Sequence, residues 1–179
     1  MIYFQNVHSG FTLENIAKGR LARAERCKGE NSRLRSLAAG YLIAEKLKLD
    51  EDTFQYTPQG KPYLPGSSVH FSISHSGDWA VLAVADSPIG IDIERTDREN
   101  INKNRIAARF FTETERRWLA DNANNPDAFY YVWTAREAMV KQRPNIKYQI
   151  SNISEQLTIG SDRLTFSVPF KGYVMCVCV

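Results

Sequence analysis

The chain has 179 residues, 43% of them hydrophobic and 24% charged, with a formal net charge of +3. That describes an ordinary water-soluble globular protein, one domain or two closely packed halves. The charge is too small to imply nucleic acid, though clustered basic residues would suit an anionic ligand. The longest apolar run, residues 79–85, falls far short of the about 20 residues that cross a bilayer, and residues 1–9 show no basic leader ahead of an apolar stretch. No signal peptide and no membrane segment are therefore expected. The three cysteines, Cys27, Cys176 and Cys178, have no CxxC spacing, which suits reduced thiols in a cytoplasmic protein.

In chain order, residues 2–7 predict a short strand. Residues 31–49 predict an amphipathic helix, because Leu34, Leu37, Ala38, Tyr41, Leu42, Ala44 and Leu47 mostly recur at three- and four-residue steps. Lys18, Arg20, Arg23, Arg26, Lys28, Arg33 and Arg35 gather before and within it, either as a solvated face or as an anion site. Residues 58–62 are a turn by composition. Residues 69–74 and 80–85 predict strands, joined as a hairpin through residues 75–78. Residues 89–94 predict another strand, followed by a polar loop over 95–104. Helical patterns span about 105–119 and 127–140, with Pro144 stopping the second. The tail alternates turns and strands and ends apolar, with Cys176 and Cys178 on the core face of the last strand. Each half runs helix first and then strands, which gives an α+β class with two lobes, residues 1–86 and 87–179.

Chemistry concentrates at three places. Strand alternation sends Ile91 and Ile93 to one face and Asp92 and Glu94 to the other. Two carboxylates so placed repel, and either a divalent cation or an exposed edge would relieve them. On the second helix, Phe129, Trp133, Glu137 and Lys141 follow at four-residue steps, which puts Glu137 at the rim of buried surface. Its compensation is either a helical pair with Lys141 or a metal shared with Asp92 and Glu94, with Lys141 then facing a phosphate. His75 follows the alternation of Phe71 and Ile73 with Ser72 and Ser74, where the strand should give way to a turn. Its imidazole is either an ordinary turn side chain or a hydrogen-bond donor to phosphate.

Four motifs in order, residues 60–62 (GKP), 71–76 (FSISHS), 90–94 (GIDIE) and 133–141 (WTAREAMVK), resemble the signature of the 4'-phosphopantetheinyl transferase superfamily. The likeness is strongest to the surfactin-synthetase type, single chains of two similar α/β lobes packed about a pseudo-two-fold axis. It runs from about residue 20 to 141, with residues 110–115 (FFTETE) similar to the segment between the last two motifs. The resemblance implies that Asp92, Glu94 and Glu137 bind Mg2+, with Mn2+ an alternative. It implies that Lys61, Ser74 and His75 contact coenzyme A, that Lys141 reaches its phosphates, and that Arg20, Arg23, Arg35 and Ser36 surround the adenosine 3'-phosphate. Glu115 matches an acidic position, and Arg136 stands where the family usually has lysine.

The implied activity is transfer of 4'-phosphopantetheine from coenzyme A to a serine of an apo acyl or peptidyl carrier protein. Glu137 would be the base, and His75 and Lys141 would stabilise the pyrophosphate. The partners expected are coenzyme A and the carrier protein, with no nucleic acid and no membrane, for a cytoplasmic monomer. Two rivals stand beside this reading. A non-catalytic homologue would bind coenzyme A or a carrier protein without turning it over. A magnesium-dependent phosphohydrolase would use the same carboxylates with water as acceptor, leaving the Gly-Lys-Pro and Ser-His-Ser segments without purpose.

Overall fold

The alternation of apolar and small residues between positions 70 and 85 forms a hairpin in the computed structural model, which describes residues 1–58, 60–98, 101–143 and 163–179. Strand β1 is Ile2–Asn6, and a small hairpin follows from β2 (Gln55–Tyr56) and β3 (Pro62–Tyr63). Strands β4 (His70–Ser76) and β5 (Trp79–Ala85) pair antiparallel, and β1 adds to the other edge of β5. A second antiparallel sheet has the order β6 (Gly90–Arg95), β8 (Tyr173–Cys178), β7 (Leu164–Ser167).

The pairing of Ser76 with Trp79 leaves only Gly77 and Asp78 to make the β4–β5 turn. His75 therefore lies inside β4 and not in the turn that the composition suggests. Gly77 has φ 53°, the positive value that the first position of a two-residue hairpin turn demands.

The helices depart from the sequence pattern where few residues are buried. Helix α1 (Lys18–Glu25) has no predicted counterpart, since Ala24 is its one buried residue and periodicity has little to register. Helix α2 (Glu30–Leu42) stops short of position 49. Its continuation widens into a π-type turn over Ile43–Leu47 and ends at Lys48, which is left-handed with φ 54°. The pattern over 105–119 is two helices, α3 (Lys103–Phe110) and α4 (Glu113–Asp121). The break is a capping box: Thr112 Oγ1 accepts from the Glu115 N–H while the Glu115 carboxylate accepts from the Thr112 N–H. Helix α5 (Ala128–Gln142) matches its prediction to within two residues. Pro144, its expected stop, lies outside the described residues, as does the tail before Arg163.

Three apolar clusters stack these elements. Ala38, Ala39 and Leu42 of α2 pack on Phe71, Ala80 and Leu82, covering one face of the first sheet. The other face, through Val81 and Ala83, meets Ile91, Ile93, Met175 and Val177 of the second sheet. Beyond that, Cys176 and Cys178 pack on Ala135, Ala138 and Met139 of α5, so both cysteines are core residues, and burial raises the pKa of each thiol. No helix among the described residues is long and apolar enough to cross a membrane.

The two sheets meet along β4 and β6 through side chains. Ser72, Ser74 and Ser76 accept hydrogen bonds from the backbone N–H groups of Ile91, Ile93 and Arg95, at 3.1, 3.4 and 3.1 Å. Serines at every second position face one way in a strand, so three hydroxyls take the acceptor role that carbonyls hold in a ladder. This seam fixes the register of β6 against β4.

Candidate active site

The seam also aims the carboxylates of β6. Ile91 and Ile93 are fully buried between the sheets, while Asp92 and Glu94 project to the other side, as alternation requires. Asp92 is 4% exposed. Its Oδ1 accepts from Ser74 Oγ at 2.7 Å and from Lys141 Nζ at 2.6 Å, whereas its Oδ2 is buried with no hydrogen-bond partner. Glu94 accepts from Ser76 Oγ at 2.7 Å and from Arg98 at 3.4 Å.

Helix α5 brings Glu137 and Lys141 to the same face. Gly90 makes that approach possible, because a Cβ there would run into the carbonyl of Ala138 on α5. Glu137 is half-buried. Burial first, and the charge of Asp92 second, raise its pKa; Glu94 is raised by burial too, with Asp92 adding to it. Lys141 does not complete a helical pair with Glu137 among the described ion pairs. It reaches β6 instead, donating to the Ile91 carbonyl at 3.2 Å as well as to Asp92.

Among the described residues, no three His, Cys, Asp or Glu side chains stand close enough together to hold a metal ion as they are. The donor set nevertheless fits a hard divalent cation. All three acids offer oxygen, Glu94 and Glu137 both feel the charge of Asp92, and the orphaned Asp92 Oδ2 is a buried acceptor waiting for a positive partner.

The other predicted residues come from β4, the β2–β3 turn, α1 and α2, and of them His75 and Arg35 line a groove beside this cluster. Lys61, in the turn between β2 and β3, donates to the Ile89 carbonyl at 2.9 Å, just ahead of β6. Burial, followed by the charge of Lys141, lowers its pKa to about 8. Ser74 is committed to Asp92 and the seam. His75 stands at the groove surface, on the opposite face of β4 from the serines. The protein packed around it, and then the charges of Arg35, Lys141 and Arg20, lower its pKa. A cleft of about 380 Å³ opens beside it, lined by Arg35, Ser76, Glu94, Arg95 and Arg98. Arg35 donates to the Gly77 carbonyl at 3.3 Å, and Ser36 is buried on α2 next to it. Arg20 and Arg23 both bond the carboxylate of Glu51.

Arg136 and Glu115 are not part of this surface. Both are buried, and one guanidinium nitrogen of Arg136 donates to both carboxylate oxygens of Glu115 at 2.7 Å. The departure from the family pattern at Arg136 therefore falls on a buried pair that joins α5 to α4. Sequence reasoning also passed over Ser72, Ser76, Glu51 and Arg98. The alternating serines of positions 72, 74 and 76 were the visible signal for the seam; an isolated Glu51 carries none.

The sequence profile of the 4'-phosphopantetheinyl transferase superfamily matches residues 88–166. The 4'-phosphopantetheinyl transferase Sfp of Bacillus subtilis (strain 168) is 39% identical over 106 residues, which are 56% of this chain and 46% of that protein. The 4'-phosphopantetheinyl transferase gsp of Aneurinibacillus migulanus is 33% identical over 139 residues, 73% of this chain and 57% of its own length. The 4'-phosphopantetheinyl transferase AcpT of Salmonella typhi is 32% identical over 128 residues, 68% and 65%. The chain spans about half the length of the first two of these relatives.

Proposed function

We propose that the chain, whose sequence matches the profile of the 4'-phosphopantetheinyl transferase superfamily over residues 88–166, transfers 4'-phosphopantetheine from coenzyme A to a serine of an apo acyl or peptidyl carrier protein. The observation that carries the proposal is the incomplete satisfaction of Asp92. Its buried, unpartnered Oδ2 lies on the face where Glu94, Glu137 and Lys141 converge. In this reading Asp92, Glu94 and Glu137 hold Mg2+, with Mn2+ an alternative. When bound, the ion supplies neutralising charge for the pyrophosphate of coenzyme A.

The chain's own residues position and neutralise. Lys61, with its pKa of about 8, stays cationic at neutral pH beside Lys141, and the two ammonium groups favour an anion between them. His75 offers a ring N–H from the groove wall, with Ser74 and Ser76 holding the carboxylates behind it. Glu137, its pKa raised by burial and by Asp92, is suited to take a proton from the carrier serine. The serine oxygen then bonds to the phosphorus bearing pantetheine. The opposite P–O bond breaks with its electron pair, and 3',5'-adenosine bisphosphate leaves.

The halves 1–86 and 87–179 are read as two similar lobes about a pseudo-two-fold axis. In support, each contains a three-stranded antiparallel sheet with one long helix across a face, and β4 and β6 meet between them. A cytoplasmic monomer completes the reading. The test is incubation with coenzyme A, Mg2+ and an apo carrier protein, followed by intact mass spectrometry of the carrier. The carrier should gain one phosphopantetheine; an unchanged mass for both an acyl and a peptidyl carrier would sink the proposal.

A further inference from the structure

The three serines of β4 repeat one bonding pattern, and one of the three lacks its carboxylate. Ser74 accepts from the Ile93 N–H and donates to Asp92 Oδ1 at 2.7 Å. Ser76 accepts from the Arg95 N–H and donates to Glu94 Oε2, also at 2.7 Å. Each hydroxyl takes a backbone N–H 19 residues on and gives its proton to the acid 18 residues on. Ser72 takes the Ile91 N–H in the same way, but position 90 is Gly90, and Ser72 donates to no side chain among the described residues. The partners rise together along β4 and β6, so one geometry meets both acids two residues apart, on the same face of β6.

A hydroxyl has one proton and two lone pairs. Once a strand N–H holds one lone pair, the proton is aimed and no longer free to turn. All three serines are buried, so water does not readily replace a deleted hydroxyl. The acids are fixed in turn. Asp92 receives Ser74 and Lys141 on Oδ1 while Oδ2 stays bare, and Glu94 receives Ser76 and Arg98 on Oε2. Each acid thus has one oxygen tied back to β4. Without that tie a glutamate side chain spreads over several rotamers, and a ligand must freeze it on arrival.

We propose that Ser74 and Ser76 are positioning residues, which act on the reaction through Asp92 and Glu94 by holding one oxygen of each and leaving the other to a ligand, whereas Ser72 only joins the strands. The inference rests on the transfer reading above and deepens it. It also takes Ser74 away from coenzyme A, the contact that the family resemblance implies, because its proton is given to Asp92 and it already accepts from Ile93.

Ser72→Ala, Ser74→Ala and Ser76→Ala each remove one acceptor from a β6 N–H, so urea unfolding should find all three destabilised alike. Function should separate them. Mn2+ binding, read from the paramagnetic resonance of the free ion, should weaken by about tenfold or more in Ser74→Ala and Ser76→Ala, and by less than about twofold in Ser72→Ala. At limiting Mg2+, turnover per folded molecule with an apo carrier should fall in the same order. At saturating Mg2+, KM for coenzyme A should stay within about threefold of native. A rise of about tenfold in that KM for Ser74→Ala, with kcat kept, puts the hydroxyl on coenzyme A and overturns its positioning role. Native transfer with no separation between Ser72→Ala and the other two, in either measurement, refutes the inference alone. A native chain that neither binds Mn2+ nor transfers overturns the inference and the transfer reading together. Where Ser74→Ala does not fold, Ser76→Ala against Ser76→Thr decides. Threonine keeps the hydroxyl and should recover Mn2+ binding to within about threefold of native, and a threonine variant as weak as the alanine one refutes the inference.

Discussion

Asp92 and Glu115 are buried to nearly the same degree, 4% and 3% exposed, and both face α5. They are completed differently. Glu115 takes the Thr112 N–H at 2.6 Å and spreads Arg136 over both of its oxygens, so each lone-pair direction that matters is filled from within the chain. Asp92 crowds Ser74 and Lys141 onto one oxygen and leaves the other buried and bare. A buried carboxylate left short costs stability that a finished pair does not. The difference separates a charge kept for architecture from one kept for a ligand, without reference to any relative.

The largest effect should follow from removing the incomplete charge. Asp92→Asn keeps the shape and an acceptor for Ser74 but deletes the anion. Transfer to an apo carrier should fall by about a thousandfold or more, while the melting temperature stays within about 3 °C of native. If the variant instead unfolds and retains its turnover per folded molecule, Asp92 belongs with Glu115, and the distinction between the two collapses.

The finished pair should behave in the opposite way. Arg136→Met strands the Glu115 carboxylate and should cost about 3–5 kcal/mol in urea unfolding, with any loss of transfer tracking the unfolded fraction. Arg136→Lys should retain most of the stability, since a single guanidinium nitrogen makes both bonds and an ammonium can stand at that point. A variant with Met at position 136 that melts like the native chain but no longer transfers would place Arg136 on the substrate after all.

The same contrast explains what the sequence made legible. The strands β4, β5 and β6 and helix α5 carry strong periodicity because each buries a whole face; alternation put Asp92 and Glu94 on one side, and four-residue spacing put Glu137 at the rim of buried surface without saying what meets it. Helix α1 escaped because it buries only Ala24, and the α3–α4 break escaped because Thr112 and Glu115 read as part of a continuous polar face. Pairings across the chain were beyond reach. Neither the serine seam, with partners 19 residues apart, nor the Glu51 cage, 28 and 31 residues from its arginines, leaves a local pattern. The partner of Arg136 was out of reach for the same reason, since Glu115 lies 21 residues away.

The seam that aims Asp92 is itself a finished set of bonds, so it should behave like Glu115 on a smaller scale. Ser72 is 1% exposed and lies furthest from the carboxylates along β4. Ser72→Ala leaves the Ile91 N–H buried without its acceptor and should cost about 1–3 kcal/mol in urea unfolding. Its turnover per folded molecule should be close to native. A fall in turnover without a fall in stability would show that the seam tunes Asp92 chemically and does more than hold β6 in register.

The smallest effect sharpens the comparison with a charge of the other sign. Lys61 resembles Asp92: its ammonium is mostly buried, has one carbonyl partner in Ile89, and faces a like charge in Lys141. Burial and that neighbour lower its pKa to about 8 from the ordinary 10.5. Between these two values the unfolded chain holds more protons on this residue than the folded one, so folding stability should rise with pH across that window. Below about pH 8 both states are protonated and the cost is present in full. Lys61→Met should therefore gain about 1 kcal/mol at pH 7, discounted for the solvent that still reaches the side chain, even though the Ile89 carbonyl loses its donor. The gain should shrink as pH passes from 8 toward 10.5, which urea unfolding of the two proteins at matched pH would read as converging curves. Parallel curves, or a variant less stable at pH 7, would mean that the bond to Ile89 outweighs the buried charge. Lys61 would then stand with Arg136 as architecture and not with Asp92.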